Sequence, residues 1–584
     1  MRNLLRITLL AALSLPLAAQ TQYRDAVSAE PSLYAHYRHD EAAGASTLVD
    51  SRNAYNAAVS GAVTFGQATL LHNSQAGNAA TYDGTSGLAT TPNAQFRFER
   101  TDSFTIEAVI KPNLTRGGSE EEYAILSKIQ SASPFTGYEL AVDWNNASRT
   151  NKAVLRAFLI SSFAGSTIQV LGSTDLSNGK AWHVAMTYDG SSTAAGVKLY
   201  VNGVAETPLV INNSLTTSIR NDTVSALVGA RPGPSRWFKG DLDELAIYTS
   251  ALPASTILDH ANKFWGYTGD PGGQVPVILD TDLASDVDDV GDLAVLNALE
   301  RKGEARLVGV IVSSINDFSA PAARAYNTYY GHGGRLVGAN QGSTPAAGAS
   351  SVYTSQIRTE FGFPGQTRAS YDSVAAAYRK MLAGEADGSV VVVITGFAKA
   401  FVDLLQSAAD GISPLTGSQL VSAKVKRVVV VAGIYPSDGG SPEWNLANDP
   451  SNYNYLFANC PVEVVSVGIE LGNTVFSGPP AGAIAVQNPV KRAYDLWGSS
   501  TREAWGQLGV LYAARGLGTN FYVGGFAGTT TVNSSTGANS WAESPNAKHG
   551  YLRKLASDAT LQATLNDLLD DPPYARPRRA MLMH

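Results

Sequence analysis

The chain has one cysteine, Cys460, among its 584 residues. A single thiol excludes an intramolecular disulfide and any multi-cysteine zinc site. Basic runs are absent too: 43 Lys and Arg stand against 50 Asp and Glu, a formal charge of −7. Nucleic-acid binding therefore lacks its electrostatic footprint. Past the N-terminus no apolar run approaches the ~18 residues of a spanning helix, so no membrane span is expected in the mature chain.

What the N-terminus does have is a three-part layout. In MRNLLRITLLAALSLPLAAQ, Arg2 and Arg6 make a positive start, Ile7 to Leu17 a short apolar core, and Ala18-Ala19 a small-residue cleavage site. This predicts a secretory signal peptide over residues 1–19, too short to span a bilayer. Its removal moves the formal charge from −7 to −9. Export with scarce thiols fits a secreted or periplasmic protein.

A chain this long exceeds one hydrophobic core, and two or three domains are expected. Its rhythm changes near residue 270. Before that point, Ser103 to Ile110 alternates with period two, and Trp182 to Tyr188 ends at Asp189-Gly190. Val197 to Val201 runs into the hairpin signal Asn202-Gly203. No helical pattern is visible before Pro253. Many short strands predict an all-β sandwich over residues 22–265. Residues 266–274, containing Thr268-Gly269-Asp270-Pro271-Gly272-Gly273, read as a linker.

From 275 to 571, strands alternate with helical patterns, followed by a tail over 572–584. Val275 to Leu279, Leu307 to Val312, Ser389 to Thr395, Arg427 to Ala432 and Val462 to Val467 read as strands. Val290 to Ala298 reads as an amphipathic helix and Pro321 to Tyr330 as a second helix. Continuous apolar strands suit a parallel sheet covered on both faces. The expected architecture is an α/β, Rossmann-like, doubly wound domain with its site at the carboxyl ends of the strands.

An acidic stretch begins where the first of those strands ends. Residues 276–292, PVILDTDLASDVDDVGD, contain Asp280, Asp282, Asp286, Asp288, Asp289 and Asp292. Acid-rich loops are commonly solvated, and Asp is a frequent turn residue. Carboxylates converging at a strand end, however, raise one another's pKa unless a cation is present. An all-oxygen set suits calcium or magnesium rather than zinc. The stretch is no EF-hand, because a strand precedes it and no glycine holds the sixth loop position.

Two family resemblances follow from these residues. Tyr82 to Ser86, Ala181 to Ala185, Leu199 to Gly203 and Gly240 to Tyr248 resemble the laminin-G-like, concanavalin A-like lectin fold. This implies a jelly roll with a glycan as a possible ligand. Asp241, Asp243 and Glu244 are either metal ligands there or acids that are solvated or locally paired, with Leu242 and Leu245 facing the core.

The second resemblance rests on Asp280-Thr281-Asp282 with Asp288-Asp289, Ser313 to Asn316, Ile394-Thr395-Gly396, and Glu443-Trp444-Asn445, in order at strand ends. Together they resemble inosine–uridine-preferring nucleoside hydrolases, with two extra residues between the halves of the acidic motif. The resemblance implies a calcium-dependent N-glycosidase acting on a riboside. Asp282, Asp289 and the Thr395 carbonyl would hold Ca2+. Asp282 would be the catalytic base, and Asp288, Asn316, Glu443 and Asn445 would hold ribose hydroxyls. Glycosidic cleavage passes through an oxocarbenium-like state that nearby carboxylates stabilise.

The chain departs from that family at Gly506, where a metal-binding aspartate is expected, and at Trp505, where many members have histidine. Glu503, one helical turn earlier if the segment is helical, is a candidate replacement ligand, and Gln507 another oxygen donor. His549 is either a leaving-group acid or a lone surface histidine, and Cys460 is expected to pack at a helix end. Two other readings stay open. A haloacid-dehalogenase-type phosphatase also carries DxD after its first strand, but it expects Thr or Val where Ala284 stands. A non-catalytic sugar- or surface-binding protein on a degenerate hydrolase scaffold is favoured by Gly506.

Overall fold

The computed structural model describes residues 23–570 apart from 73–74, 93–94, 115–121, 145–151, 164, 178, 267–272 and 545–546. The signal peptide, most of the linker and the tail lie outside the described residues. The chain divides into two compact units, Met1–Leu71 with Gln75–Phe264, and His72–Ser74 with Trp265–His584. Among the described residues no helix is long and apolar enough to cross a membrane.

In the first unit an eight-stranded and a nine-stranded sheet, both antiparallel, enclose one core. Phe104–Pro112 pairs with Trp182–Tyr188 on one side and with Lys239–Tyr248 on the other. Its period-two pattern sends Phe104, Ile106, Ala108 and Ile110 into the core between the sheets. The opposite face is buried as well, because the helices Tyr23–Ala29 and Ala254–Phe264 supply Tyr23 and His260 to Glu107. The first of these helices has only seven residues, too few for apolar periodicity to announce it, so the expectation of no helix before Pro253 is corrected.

Of the acids in Gly240 to Tyr248, Asp243 and Glu244 are buried and Asp241 is half-buried. Leu242 and Leu245 enter the core, while a bulge after Asp243 puts Glu244 at φ 53°. Asp243 accepts from the Thr69 hydroxyl and the Leu70 amide. Glu244 takes Arg24 and His36, and Asp241 takes the Thr81 hydroxyl. Each acid is thus paired locally, and among the described residues they form no metal-holding group.

The second unit is built on a ten-stranded sheet. Its strands are β1 (Val275–Thr281), β2 (Ala305–Val312), β3 (Leu336–Ala339), β4 (Asp372–Ser373), β5 (Val390–Ile394), β6 (Val425–Val430), β7 (Glu463–Ser466), β8 (Phe521–Val532), β9 (Asn539–Glu543) and β10 (His549–Lys554). The order is β4-β3-β2-β1-β5-β6-β7-β10-β8-β9. Pairing is parallel from β4 through β10, then antiparallel for β10-β8 and β8-β9. The sheet is thus mixed, with a parallel centre and an antiparallel end that the expectation of a parallel sheet did not include.

The helices that position the site are α1 (Asp288–Arg301), α2 (Ser319–Tyr329), α3 (Val374–Ala383), α4 (Trp444–Asn448) and α5 (Trp505–Arg515). The all-apolar run of β5 is buried at every position. On one face Val392 and Ile394 join Val428, Val430, Tyr378 and Phe401 in a single core. The expected amphipathicity of α1 is not found: it is buried from Asp289 to Glu300 because α5 and β2 both pack on it.

Candidate functional site

Register decides where the site lies. Asp280 on β1 is level with Ile394 on β5, and Ile394 with Val430 on β6. The residues that follow these three, Asp282, Thr395 and Val431, therefore emerge together at the carboxyl end of the sheet. Gly396 lets the chain after β5 come close, since a Cβ there would sit 2.3 Å from the Asp282 nitrogen. After Asp282 the backbone turns through Leu283 at φ 39°, a strained value for a non-glycine residue. The Ser319 hydroxyl holds that turn by donating to the Leu283 carbonyl at 2.7 Å.

A pocket of about 420 Å³ opens here. Asp282, Asp288 and Asp289 line it with Thr395, Glu443 and Asn445; Arg502, just before α5, and Trp505 and Gly506, at its start, line it too. Glu443 caps α4, accepting from the amides of Asn445 at 2.8 Å and of Leu446 at 3.2 Å. Asn445 donates to the Thr395 carbonyl at 3.3 Å, and its own Oδ1 has no partner. Asp289 accepts from the hydroxyls of Thr281 and Thr395.

The electrostatics are those of crowded acids with little positive charge. Burial pushes the Asp282 carboxyl up to about 7, and the charges of Asp286 and Glu443 add to the rise. Asp288 and Asp289 are held well above the carboxylate range, first by burial and then by their acidic neighbours. Burial also raises Glu443, against the amides it accepts from. The cation at the rim, Arg502, is committed to Asp286 through contacts of 2.6 to 3.1 Å and to Glu503, with Trp505 under its guanidinium at 4.8 Å.

Six of the eight sequence-predicted site residues therefore share this pocket. Asn316 does not: its amide donates to the Ala349 carbonyl and accepts from the Phe318 amide, so it builds a turn. Glu503 does not either. It lies in a short strand with Arg502, paired to Phe476–Ser477, before α5 begins, so the premise of a helical face fails. Its carboxylate is held by Arg502. His549 is neither in the pocket nor on the surface: it is buried in β10, accepts from the Thr530 amide at 3.0 Å, and burial lowers it to about 4. Cys460 caps the end of helix Pro450–Asn459, as expected. Of the DxD pair only Asp282 faces the pocket; Asp280 is fully buried beneath the Tyr378 hydroxyl.

Arg502 was invisible to sequence reasoning, since nothing in Thr501-Arg502-Glu503 marks an arginine for a strand beside the pocket. Trp444 was legible only as part of a motif. It is 46% exposed and packs on Phe397 at 5.5 Å, leaving much of the indole free at the rim.

Comparison with known proteins bears first on the other unit. Residues 83–258 match the concanavalin A-like lectin/glucanases superfamily (Laminin_G_3). The first unit thus carries a lectin-like β-sandwich. No curated protein matches the chain. Among solved structures, the chain is similar to a plant nucleoside hydrolase at 14% identity and TM-score 0.38, over 51% of this chain and 99% of that one. It is also similar to domain 4 of AbnA, an extracellular arabinanase from Geobacillus stearothermophilus, in complex with arabinotriose. There the identity is 18% and the TM-score 0.28, over 39% of this chain and 98% of that one. The binding domain of Paraclostridial Mosquitocidal Protein 1 is similar at 16% and 0.29, over 40% and 52%. At such values these likenesses assign no activity.

Proposed function

We propose that the second unit is a calcium-dependent N-glycosidase that cleaves the N-ribosidic bond of a nucleoside or related riboside with water, and that the protein is exported. The observation that carries this reading is the convergence of Asp282, Asp288, Asp289, Thr395, Glu443 and Asn445, from three separate strand ends, around one sugar-sized pocket.

Among the described residues, no group of three or more His, Cys, Asp or Glu side chains stands ready to hold a metal ion. The proposed ligands are two carboxylates, Asp282 and Asp289, and the Thr395 carbonyl. This all-oxygen set suits a hard cation, and the partnerless Oδ1 of Asn445 adds an acceptor nearby. Calcium bound there would polarise a water and anchor a sugar diol.

The chain's own groups do the remainder. Asp282 accepts a proton from the attacking water, a general-base contribution of about 10²–10⁴-fold. Asp288 and Glu443 accept from sugar hydroxyls, and their negative charge favours the oxocarbenium-like state. The amides of Gly433, Asn445 and Leu446, which donate to Glu443, fix its carboxylate before substrate arrives. Trp444 and Trp505 offer flat apolar surface for a leaving base. Asn316, spent on its turn, is not included.

The lectin-like unit is assigned a glycan ligand that keeps the enzyme near its substrate, on the strength of the superfamily match over 83–258. The deciding experiment is a panel of ribonucleosides incubated with added calcium and with chelator, beside Asp282→Ala. Base release that needs calcium and is lost in the variant is the expected result. Sugar binding without turnover, unchanged by the substitution, would instead establish a non-catalytic binding protein.

A further inference from the structure

Asp292 takes no part in the reading above, yet it is among the most costly groups in the molecule. It is fully buried, and neither carboxylate oxygen meets a donor in hydrogen-bonding geometry. It lies three residues after Asp289 on α1, so the two share a helix face. A buried carboxylate without a partner is strongly unfavourable, and an apolar side chain would fill the space at lower cost.

Its neighbour is Gly506, on the pocket wall. A Cβ at 506 would lie 2.0 Å from the Asp292 Oδ2 and 2.5 Å from its Cγ. Residue 506 therefore has no side chain because the carboxylate of Asp292 fills the volume that one would occupy. The two positions are mutually exclusive: either α5 projects a group into this corner or α1 does.

We infer that Asp292 supplies the calcium site with the carboxylate that Gly506 lacks, a transposition of one ligand from α5 to α1 that rests on the calcium-dependent reading above. Asp282, Asp289 and Asp292 do not stand grouped as a metal site on their own; a cation drawing them together would raise the carboxylate count to three and supply the positive charge that neutralises them. Glu503, committed to Arg502, leaves the position open for Asp292.

The test is calcium titration calorimetry on the full chain after chelation, so that the readout is binding and not turnover. Asp292→Asn is expected to weaken calcium binding about tenfold or more. With chelator present the same variant should unfold at the same or a higher temperature than the parent, because an amide has no charge to desolvate. Gly506→Asp alone should also weaken binding, since two side chains then compete for one space. The exchange variant Asp292→Gly with Gly506→Asp should recover most of the parent affinity, and it decides the matter if Asp292→Asn does not fold. An Asp292→Asn affinity within about twofold of the parent, or an exchange variant no better than Gly506→Asp, overturns the assignment. If the parent binds calcium, Asp282→Asn loses it and Asp292→Asn keeps it, the calcium reading stands and only the role of Asp292 falls. If the parent binds no calcium, both fall.

Discussion

Glu139 in the first unit and Asp282 in the second are both carboxylates taken out of water, with 0% and 5% of their surface exposed. Glu139 sits between two arginines, Arg156 at 2.5 Å and Arg231 at 2.6 Å. Burial alone would raise its pKa, but the charge of Arg231, followed by that of Arg156, more than reverses this and brings it down to about 2. Asp282 has acidic neighbours instead, and burial takes it up to about 7. At Glu139 the buried charge is neutralised by neighbouring side chains; at Asp282 it is left uncompensated at a pocket. Perturbed buried acids cluster at functional sites, and Asp282 differs from Glu139 in opening on a pocket lined by further acids.

The largest expected effect tests the pocket side of this contrast. Asp282→Ala should reduce calcium-dependent base release by about a thousandfold, while in chelator it leaves the unit at least as resistant to urea as the parent. A variant that is equally active, or markedly less stable, would make Asp282 resemble Glu139.

Next comes the network. Arg156→Ala leaves Glu139 with one arginine and should lower the unfolding free energy of the first unit by about 3–5 kcal/mol, read from urea titrations. A loss of under about 1 kcal/mol would mean that the ion pairs are worth no more than exposed ones.

A smaller effect distinguishes the two through pH. A carboxyl whose folded pKa lies above its ordinary value binds a proton more readily in the native state, so stability falls as pH rises from about 4 to about 7. Asp282 behaves this way. Glu139, depressed to about 2, is stabilising above its ordinary pKa and loses that only as pH falls toward 2. In chelator, hydrogen exchange in β1 and α1 should therefore be better protected at pH 5 than at pH 8, after correction for intrinsic rates. The strand Gly137–Asp143 should show no such difference, and calcium should close the gap in the second unit. Equal protection at both pH values without calcium would count against the uncompensated cluster.

The smallest effect concerns the rim. Trp444→Ala should raise KM for a nucleoside about tenfold, the equivalent of one lost aromatic stack, with little change in kcat. An unchanged KM would remove Trp444 from the substrate surface.

Local pattern carried much of this protein. The period-two runs at Trp182 to Tyr188 and Val197 to Val201 became strands with those same bounds, because alternation is a property of neighbouring residues. The apolar runs of β1, β2 and β5 to β7 announced a parallel sheet for the same reason. They also fixed the end at which Asp282 and Thr395 emerge, since polar residues at the close of a buried strand have one direction in which to go. The antiparallel end formed by β8, β9 and β10 escaped notice, for pairing direction depends on partners far away in the chain.

What only the tertiary structure decided concerns groups that meet across long separations. Asn316 belongs to a turn because its side chain donates to the Ala349 carbonyl and accepts from the Phe318 amide. Glu503 leaves the site because the chain there is extended and Arg502 claims it. Asp292 looked like one more acid in a crowded motif, and Gly506 like a missing ligand. Only the packing of α1 on α5, which brings residues 214 positions apart into one volume, shows that the presence of the first requires the absence of a side chain at the second. Excluded volume acts through space, and sequence order holds no record of it.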